Sequence, residues 1–120
     1  MSQISYRILV VEDHPDVAKM MQTMIGMLGH TAEISGSMGE TLDVVARETF
    51  DLLFVDFRLP DGSGSDLLKA ISARGPVKAV LLTAYDTSSL GPDSTEGFSA
   101  CLRKPVEMDE LRKTIDRLCS

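Results

Sequence analysis

The sequence predicts an α/β fold in which a doubly wound, five-stranded parallel sheet carries helices on both faces. Three observations predict it. Short β-branched runs alternate with longer segments of helical period, the pattern of βα units. Five such rounds fit within 120 residues, and no internal repeat, low-complexity tract or linker interrupts them. Three of the five strand candidates are almost continuously apolar, as strands covered on both faces must be.

The first strand is expected at residues 7–11, RILVV, and a helix follows over 15–28. Val17, Met20, Met21, Met24 and Leu28 recur there at spacings of three and four, which puts them on one stripe. Pro15 suits the first helical turn and Gly29 the end. These methionines read as core rather than as a metal box. The second strand, 31–35, is more polar and suits an edge of the sheet, with a helix after it at 39–49. The third strand, 52–55, is wholly apolar, and its helix runs over 65–73 until Gly75-Pro76 stops it. The fourth strand is expected at 78–82. The segment after it, 87–99, contains Gly91, Pro92 and Gly97 with little apolar periodicity, so its helix should be short or distorted. The fifth strand, 100–103, leads to a last helix at 107–118 with Met108, Leu111, Ile115 and Leu118 on one face.

Length and composition bound the function. The chain has room for one domain of ordinary size, 1–120, and no apolar run approaches the ~20 residues of a membrane helix. Its first residues lack the basic and apolar regions of a signal peptide, so a cytoplasmic location is expected. A net charge of -6 without a dense Lys/Arg stripe opposes direct nucleic-acid binding. Cys101 and Cys119 lack the close pairing of a zinc knuckle or redox motif and read as reduced thiols.

In open α/β sheets ligands bind beyond the carboxyl ends of the strands. At those positions stand Glu12-Asp13 after the first strand, Asp56 after the third, Thr83 after the fourth and Lys104-Pro105 after the fifth. Three carboxylates at one edge repel one another unless a hard divalent cation joins them, and Mg2+ fits because it accepts few carboxylates and bridges to phosphoryl oxygens. A lysine and a hydroxyl opposite would hold the remaining phosphoryl oxygens, with one Asp as nucleophile: a phosphoryl-transfer site. Taken singly, each piece has an ordinary structural explanation, such as a solvated loop, a turn or a helix cap. The specificity lies in the ordered set.

The motifs ILVVEDHP, FDLLFVDFRLPDGSG, VLLTA and LRKP, in this order and spacing, resemble the receiver domain of two-component response regulators over nearly the whole chain. The resemblance implies a flavodoxin-like (βα)5 fold with strand order 2-1-3-4-5. It also implies that Asp56 accepts phosphate from the phosphohistidine of a sensor histidine kinase or a histidine phosphotransfer protein. Asp13 and Asp56 would bind Mg2+ directly, Glu12 through water, and the backbone carbonyl of Arg58 would complete the protein ligands. Thr83 and Lys104 would bind the phosphoryl group, and Lys104-Pro105 would be cis. Such a domain catalyses its own phosphorylation and dephosphorylation without being a classical enzyme.

Two departures from the family pattern stand out. Cys101 occupies a position that is usually aromatic and moves with phosphorylation, so signalling is expected to rely on the loop from Thr83 to Gly97, unless Cys101 is merely a small core residue. The Gly91-Pro92 stretch disturbs the fourth helix, part of the usual signalling face. Arg58 and Tyr85, each two residues beyond a site residue, are expected to overhang the mouth of the site and set the lifetime of the phosphorylated state. With no output domain after the last helix, the signal should pass to a downstream protein target or onward by phosphotransfer, either from a stand-alone regulator or from the receiver of a hybrid kinase.

Three alternative functions share parts of this pattern. A phosphatase of the haloacid dehalogenase type also uses a strand-end Asp with Mg2+, but normally has a second Asp where this chain has Arg58. An FMN-binding flavodoxin needs a phosphate loop after the first strand, where Glu12 and Asp13 would repel it. An interaction module with a vestigial acidic site would have no need of the intact set of Asp13, Asp56, Thr83 and Lys104.

Overall fold

In the computed structural model, residues 4–84 and 91–119 are described. The elements are β1 (Arg7–Val11), α1 (Pro15–Met27), β2 (Thr31–Ser35), α2 (Met38–Arg47), β3 (Leu52–Asp56), β4 (Arg58–Leu59), β5 (Gly62–Ser63), α3 (Gly64–Ser72), β6 (Ala79–Thr83), α4 (Pro92–Thr95), β7 (Ala100–Arg103) and α5 (Met108–Cys119). The main sheet is parallel throughout, in the order β2-β1-β3-β6-β7. This is the expected 2-1-3-4-5, because β4 and β5 form a separate antiparallel hairpin that sequence periodicity does not reveal.

Burial follows from that order. Every residue of β3 and β6 is buried, whereas β2, on an edge, alternates between exposed and partly covered positions until the buried Ser35 at its end. Successive side chains of each strand point to opposite faces, which divides the core in two. On one face Ile8, Val10, Phe54 and Leu82 meet Met21 and Ile25 of α1 and Leu111 and Ile115 of α5. On the other, Leu9, Val11, Leu53 and Val55 meet Leu67, Leu68 and Ile71 of α3. Each fully buried Leu, Ile or Phe contributes about 1.5–3 kcal/mol relative to an exposed one, so the central strands are the most strongly anchored part of the fold.

Helices α1, α2, α3 and α5 lie within two residues of their expected bounds, and local chemistry explains the shifts. Helix α1 passes through Leu28 into Gly29, whose φ of 92° lies in the left-handed region that glycine tolerates. Helix α2 starts one residue early because Ser37 Oγ accepts from Glu40 N at 3.1 Å. It ends at Arg47 because Glu48 is extended, with Arg7 bonded to the Glu48 carboxylate and the Thr49 carbonyl. Ser63 Oγ starts α3 in the same way, accepting from Asp66 N at 3.1 Å. The fourth helix is a single turn, as its Gly and Pro content foretells.

Candidate functional site

The carboxyl ends of β1, β3, β6 and β7 are held level by backbone bonds that extend the sheet. Glu12 N donates to Ser35 O at 2.9 Å, Phe57 N to Leu82 O at 2.8 Å, and Lys104 N to Thr83 O at 2.7 Å. Short connections then place Asp13, Asp56 and Lys104 around a cleft of about 260 Å3, lined also by His14, Phe57, Arg58, Leu59, Pro60 and Ala84. Glu12 and Thr83 are fully buried at the strand ends rather than on the cleft lining. The Lys104-Pro105 peptide is cis, as the resemblance implies.

Lys104 ties the edge together. Its Nζ donates to Glu12 Oε1 and lies 3.1 Å from Asp56 Oδ1, with the lysine side chain 19% exposed and the two carboxylates 0% and 9%. Burial by itself would lower the Lys104 ammonium, but the two carboxylates overcome it and raise it above its usual range. Burial likewise opposes the charge of Glu12, yet hydrogen bonds from Lys104 and His14 hold that carboxyl down to about 2. Asp56 goes the other way: burial, then the adjoining Glu12 carboxylate, push it up to about 6 against the pull of Lys104. The edge is short of positive charge, and Asp56 carries the deficit.

A divalent cation would supply it. Ligand atoms of Glu12, Asp13, His14 and Asp56 all lie within 4.8 Å of one another. Three carboxylates from two adjacent strand ends are the hard oxygen donors that Mg2+ prefers, and the raised Asp56 carboxyl is what such a set shows before a cation joins it.

The remaining expected residues are placed as follows. Arg58 is exposed at the cleft, its guanidinium carbon 5.9 Å from the Phe57 ring centre. Cys101 is half-buried on β7 opposite Leu81, and burial raises its thiol. Tyr85 lies outside the described residues.

Three further residues shape the site. Gly64 begins α3 hard against β3, where a Cβ would come within 2.5 Å of the Asp56 carbonyl oxygen and 3.1 Å of Val55 Cγ1. Asp61, in the β4-β5 turn, accepts from Met38 N at 2.8 Å and Gly39 N at 3.1 Å, tying the hairpin that carries Arg58 to the start of α2. His14 places its ring beside Glu12 and Asp13. Both Asp61 and His14 sit inside quoted motifs, LPDGSG and VEDHP. The signal was there, but a turn aspartate and a residue before a proline have common structural roles.

Residues 8–116 match the family of response regulator receiver domains. The chain belongs to that family. It is 34% identical over 109 residues to the response regulator protein PilR of Pseudomonas aeruginosa, covering 89% of this chain and 24% of PilR. It is 29% identical over 110 residues to the sensor histidine kinase RcsC of Salmonella typhi, covering 90% of this chain and 12% of RcsC. The chain thus spans about a quarter or less of these relatives' length. Among solved structures, a CheY-like receiver domain from Methylobacillus flagellatus has a TM-score of 0.89 at 27% identity, covering 96% of this chain and 99% of its own. The response regulator TrrA of Thermotoga maritima, in complex with Mg2+ and BeF, has a TM-score of 0.84 at 26% identity, covering 96% and 99%. The receiver domain therefore places this chain in two-component signalling. Among the described residues, no helix is long and apolar enough to cross a membrane.

Proposed function

We propose that this receiver domain accepts a phosphoryl group on Asp56 from the phosphohistidine of a sensor kinase or histidine phosphotransfer protein. The observation that carries the reading is the burial of Asp56 beside Lys104 at the edge of a cleft open to a partner's side chain. In the transfer a carboxylate oxygen of Asp56 forms the new P–O bond as the P–N bond to the donor imidazole breaks, and that ring nitrogen takes a proton on departure. Asp13, Asp56, the Arg58 carbonyl and, through water, Glu12 would hold Mg2+, which supplies positive charge to the phosphoryl oxygens and keeps Asp56 ionised. Lys104 neutralises a further phosphoryl oxygen, exchanging one of its carboxylate contacts for it. Thr83, at the adjoining strand end, offers its hydroxyl to the same group.

Arg58 contributes to the lifetime of the product by standing over the path of a hydrolytic water. Its guanidinium cannot act as a base, so it hinders and screens. Tyr85 is assigned the same role from its place two residues after Thr83. Output passes to a protein partner through the loop after β6 or onward by phosphotransfer. A small phosphodonor with Mg2+ tests the acceptor: wild type should be labelled on Asp56, and Asp56→Asn should not be labelled at all. Full Mg2+-dependent labelling of that variant would overturn the assignment. Phosphoryl loss after donor removal tests Arg58, since Arg58→Ala should hydrolyse several-fold faster.

A further inference from the structure

The side chain of His14 has a position that neither its helix nor the sheet requires. His14 is the N-cap of α1, yet its ring makes no capping bond to the helix, and Pro15 at the first helical position fixes the chain direction without it. The ring turns back over the strand end instead. Its Nδ1 lies 3.1 Å from Glu12 Oε2 and 3.3 Å from Asp13 Oδ1. The His14 backbone N donates to the same Glu12 oxygen at 3.2 Å, which holds the residue against the carboxylate.

The 3.3 Å between Nδ1 and Asp13 Oδ1 is close to the spacing of neighbouring donors in a coordination shell. Donors on adjacent corners of an octahedron with metal bonds of about 2.1–2.2 Å sit about 3.0–3.1 Å apart, which is also within reach of ordinary hydrogen bonds. Nδ1 therefore needs only a small movement to share a cation with Asp13. The ring is 69% exposed and lines the cleft beside Asp13 and Asp56, so the movement meets little resistance and Nε2 can stay in water.

We infer that His14 is a nitrogen ligand of the cation held by Asp13 and Asp56, so that this receiver favours borderline transition ions such as Co2+ or Zn2+ over Mg2+ beyond what an all-oxygen site does. The inference rests on the metal reading proposed above and deepens it. Imidazole nitrogen binds Co2+, Ni2+ and Zn2+ readily, whereas Mg2+ demands hard oxygen donors and keeps its waters. One histidine among carboxylates thus separates the two classes of ion. Mg2+ would occupy the oxygen ligands and leave the ring aside.

The test uses the metal ions alone on the intact chain. Calorimetric titration with Co2+ and with Mg2+ gives the ratio of their dissociation constants for wild type, His14→Gln and Asp13→Asn. His14→Gln should weaken Co2+ by about tenfold and leave Mg2+ within about twofold. Pulsed electron paramagnetic resonance of bound Cu2+, an ion of the imidazole-binding class, supplies a direct readout, because a coordinated imidazole imprints 14N modulation on the signal. That modulation should be present in wild type and absent in His14→Gln. The chain has only two histidines, and His30 is engaged by Tyr6 N at the opposite end of the sheet, so the assignment is unambiguous. Cu2+ bound without nitrogen modulation, or an unchanged Co2+ to Mg2+ ratio in His14→Gln, would overturn the role of His14 while leaving the carboxylate site standing. Binding of none of these ions, or binding that Asp13→Asn does not weaken, would overturn the metal reading itself and this inference with it.

Discussion

The two ends of the sheet hold similar residues and put them to different use. At the amino end Arg7 pairs with Glu48 at 2.5 Å and Glu33 at 3.6 Å, Asp51 accepts from Arg7 N, and His30 accepts from Tyr6 N. At the carboxyl end Lys104 pairs with Glu12 and Asp56, with His14 beside them. Arg7 and its two partners are 39–49% exposed, whereas Lys104, Glu12 and Asp56 are at most 19% exposed. In water the same charges attract weakly and are screened, while under cover each must be neutralised locally. A cluster of charged residues becomes a reactive site where burial leaves its charges unbalanced, and the residue types alone do not distinguish the two ends.

Removing the buried cation should have the largest effect. Lys104→Met strips Glu12 and Asp56 of their shared counter-ion, and breaking such a pair from one side costs about 3 kcal/mol or more. Urea unfolding of the metal-free domain at neutral pH should show that loss, and lower pH should reduce it because one carboxylate can then take a proton. A stability within about 0.5 kcal/mol of wild type would mean that water reaches the edge as freely as it reaches Arg7.

The opposite sign is expected for Asp56→Asn, which should stabilise the metal-free domain. With its carboxyl at about 6 in the fold and 3.8 when unexposed to such neighbours, Asp56 binds a proton more tightly folded than unfolded. Its contribution to stability therefore falls as pH rises from about 4 to about 6 and stays level above. The gain on substitution should be near zero at pH 4 and about 2–3 kcal/mol above pH 6, by the linkage of about 1.4 kcal/mol per pH unit. Glu12 runs the other way: held down to about 2, it contributes stability above its ordinary 4.5 and loses it as pH falls toward 2. Mg2+ should stabilise wild type and narrow its gap to Asp56→Asn. A pH-independent gap would mean that burial and the Glu12 carboxylate do not raise the Asp56 carboxyl in the fold.

A smaller effect is expected at the turn that carries Arg58. Asp61→Ala leaves Met38 N and Gly39 N of α2 without their acceptor, whose bonds hold the Asp61 carboxyl below its usual range. The melting temperature should fall by about 2–5 °C. Amide exchange at Met38 and Gly39 should rise, and Mg2+ should bind more weakly because the hairpin beside the metal ligands is untied. Asp61→Asn, which keeps an acceptor oxygen, should lie between the two. Unchanged exchange at those amides would sever the turn from α2.

Much of this was legible in the sequence, for identifiable reasons. Runs such as LLFVD announce a covered strand because every position must be apolar up to the one that meets solvent, and the ordered acids, threonine and lysine mark the strand ends. The hairpin of Arg58–Leu59 with Gly62–Ser63 was not legible, since two residues are too few to show a period. Gly64 could not be recognised as a packing requirement without knowing that α3 begins against the Asp56 carbonyl. The division of labour between Glu12 and Asp56 was equally hidden. Both follow apolar runs, yet Lys104 and His14 together hold the first down, while at the second Lys104 does not offset burial and the Glu12 carboxylate.

Arg7→Gln at the amino end should have the smallest effect and is the control for the comparison. Arg7 makes more contacts than Lys104 does: two carboxylates, the Thr49 carbonyl at 3.0 Å, and the face of Phe50 with 5.0 Å between guanidinium carbon and ring centre. If contact number set the energetics, its loss would rival that of Lys104. Exposure argues otherwise, because Glu33 and Glu48 regain water when the guanidinium leaves and exposed pairs are worth about 0–1 kcal/mol. Urea unfolding should place Arg7→Gln within about 1 kcal/mol of wild type, with a difference that shrinks further in 0.5 M salt as screening removes what attraction remains (roughly a 4 Å Debye length). Phosphoryl labelling of Asp56 should be unchanged, since the whole sheet separates Arg7 from the cleft. A loss comparable to that of Lys104→Met would show that contacts rather than burial distinguish the two ends.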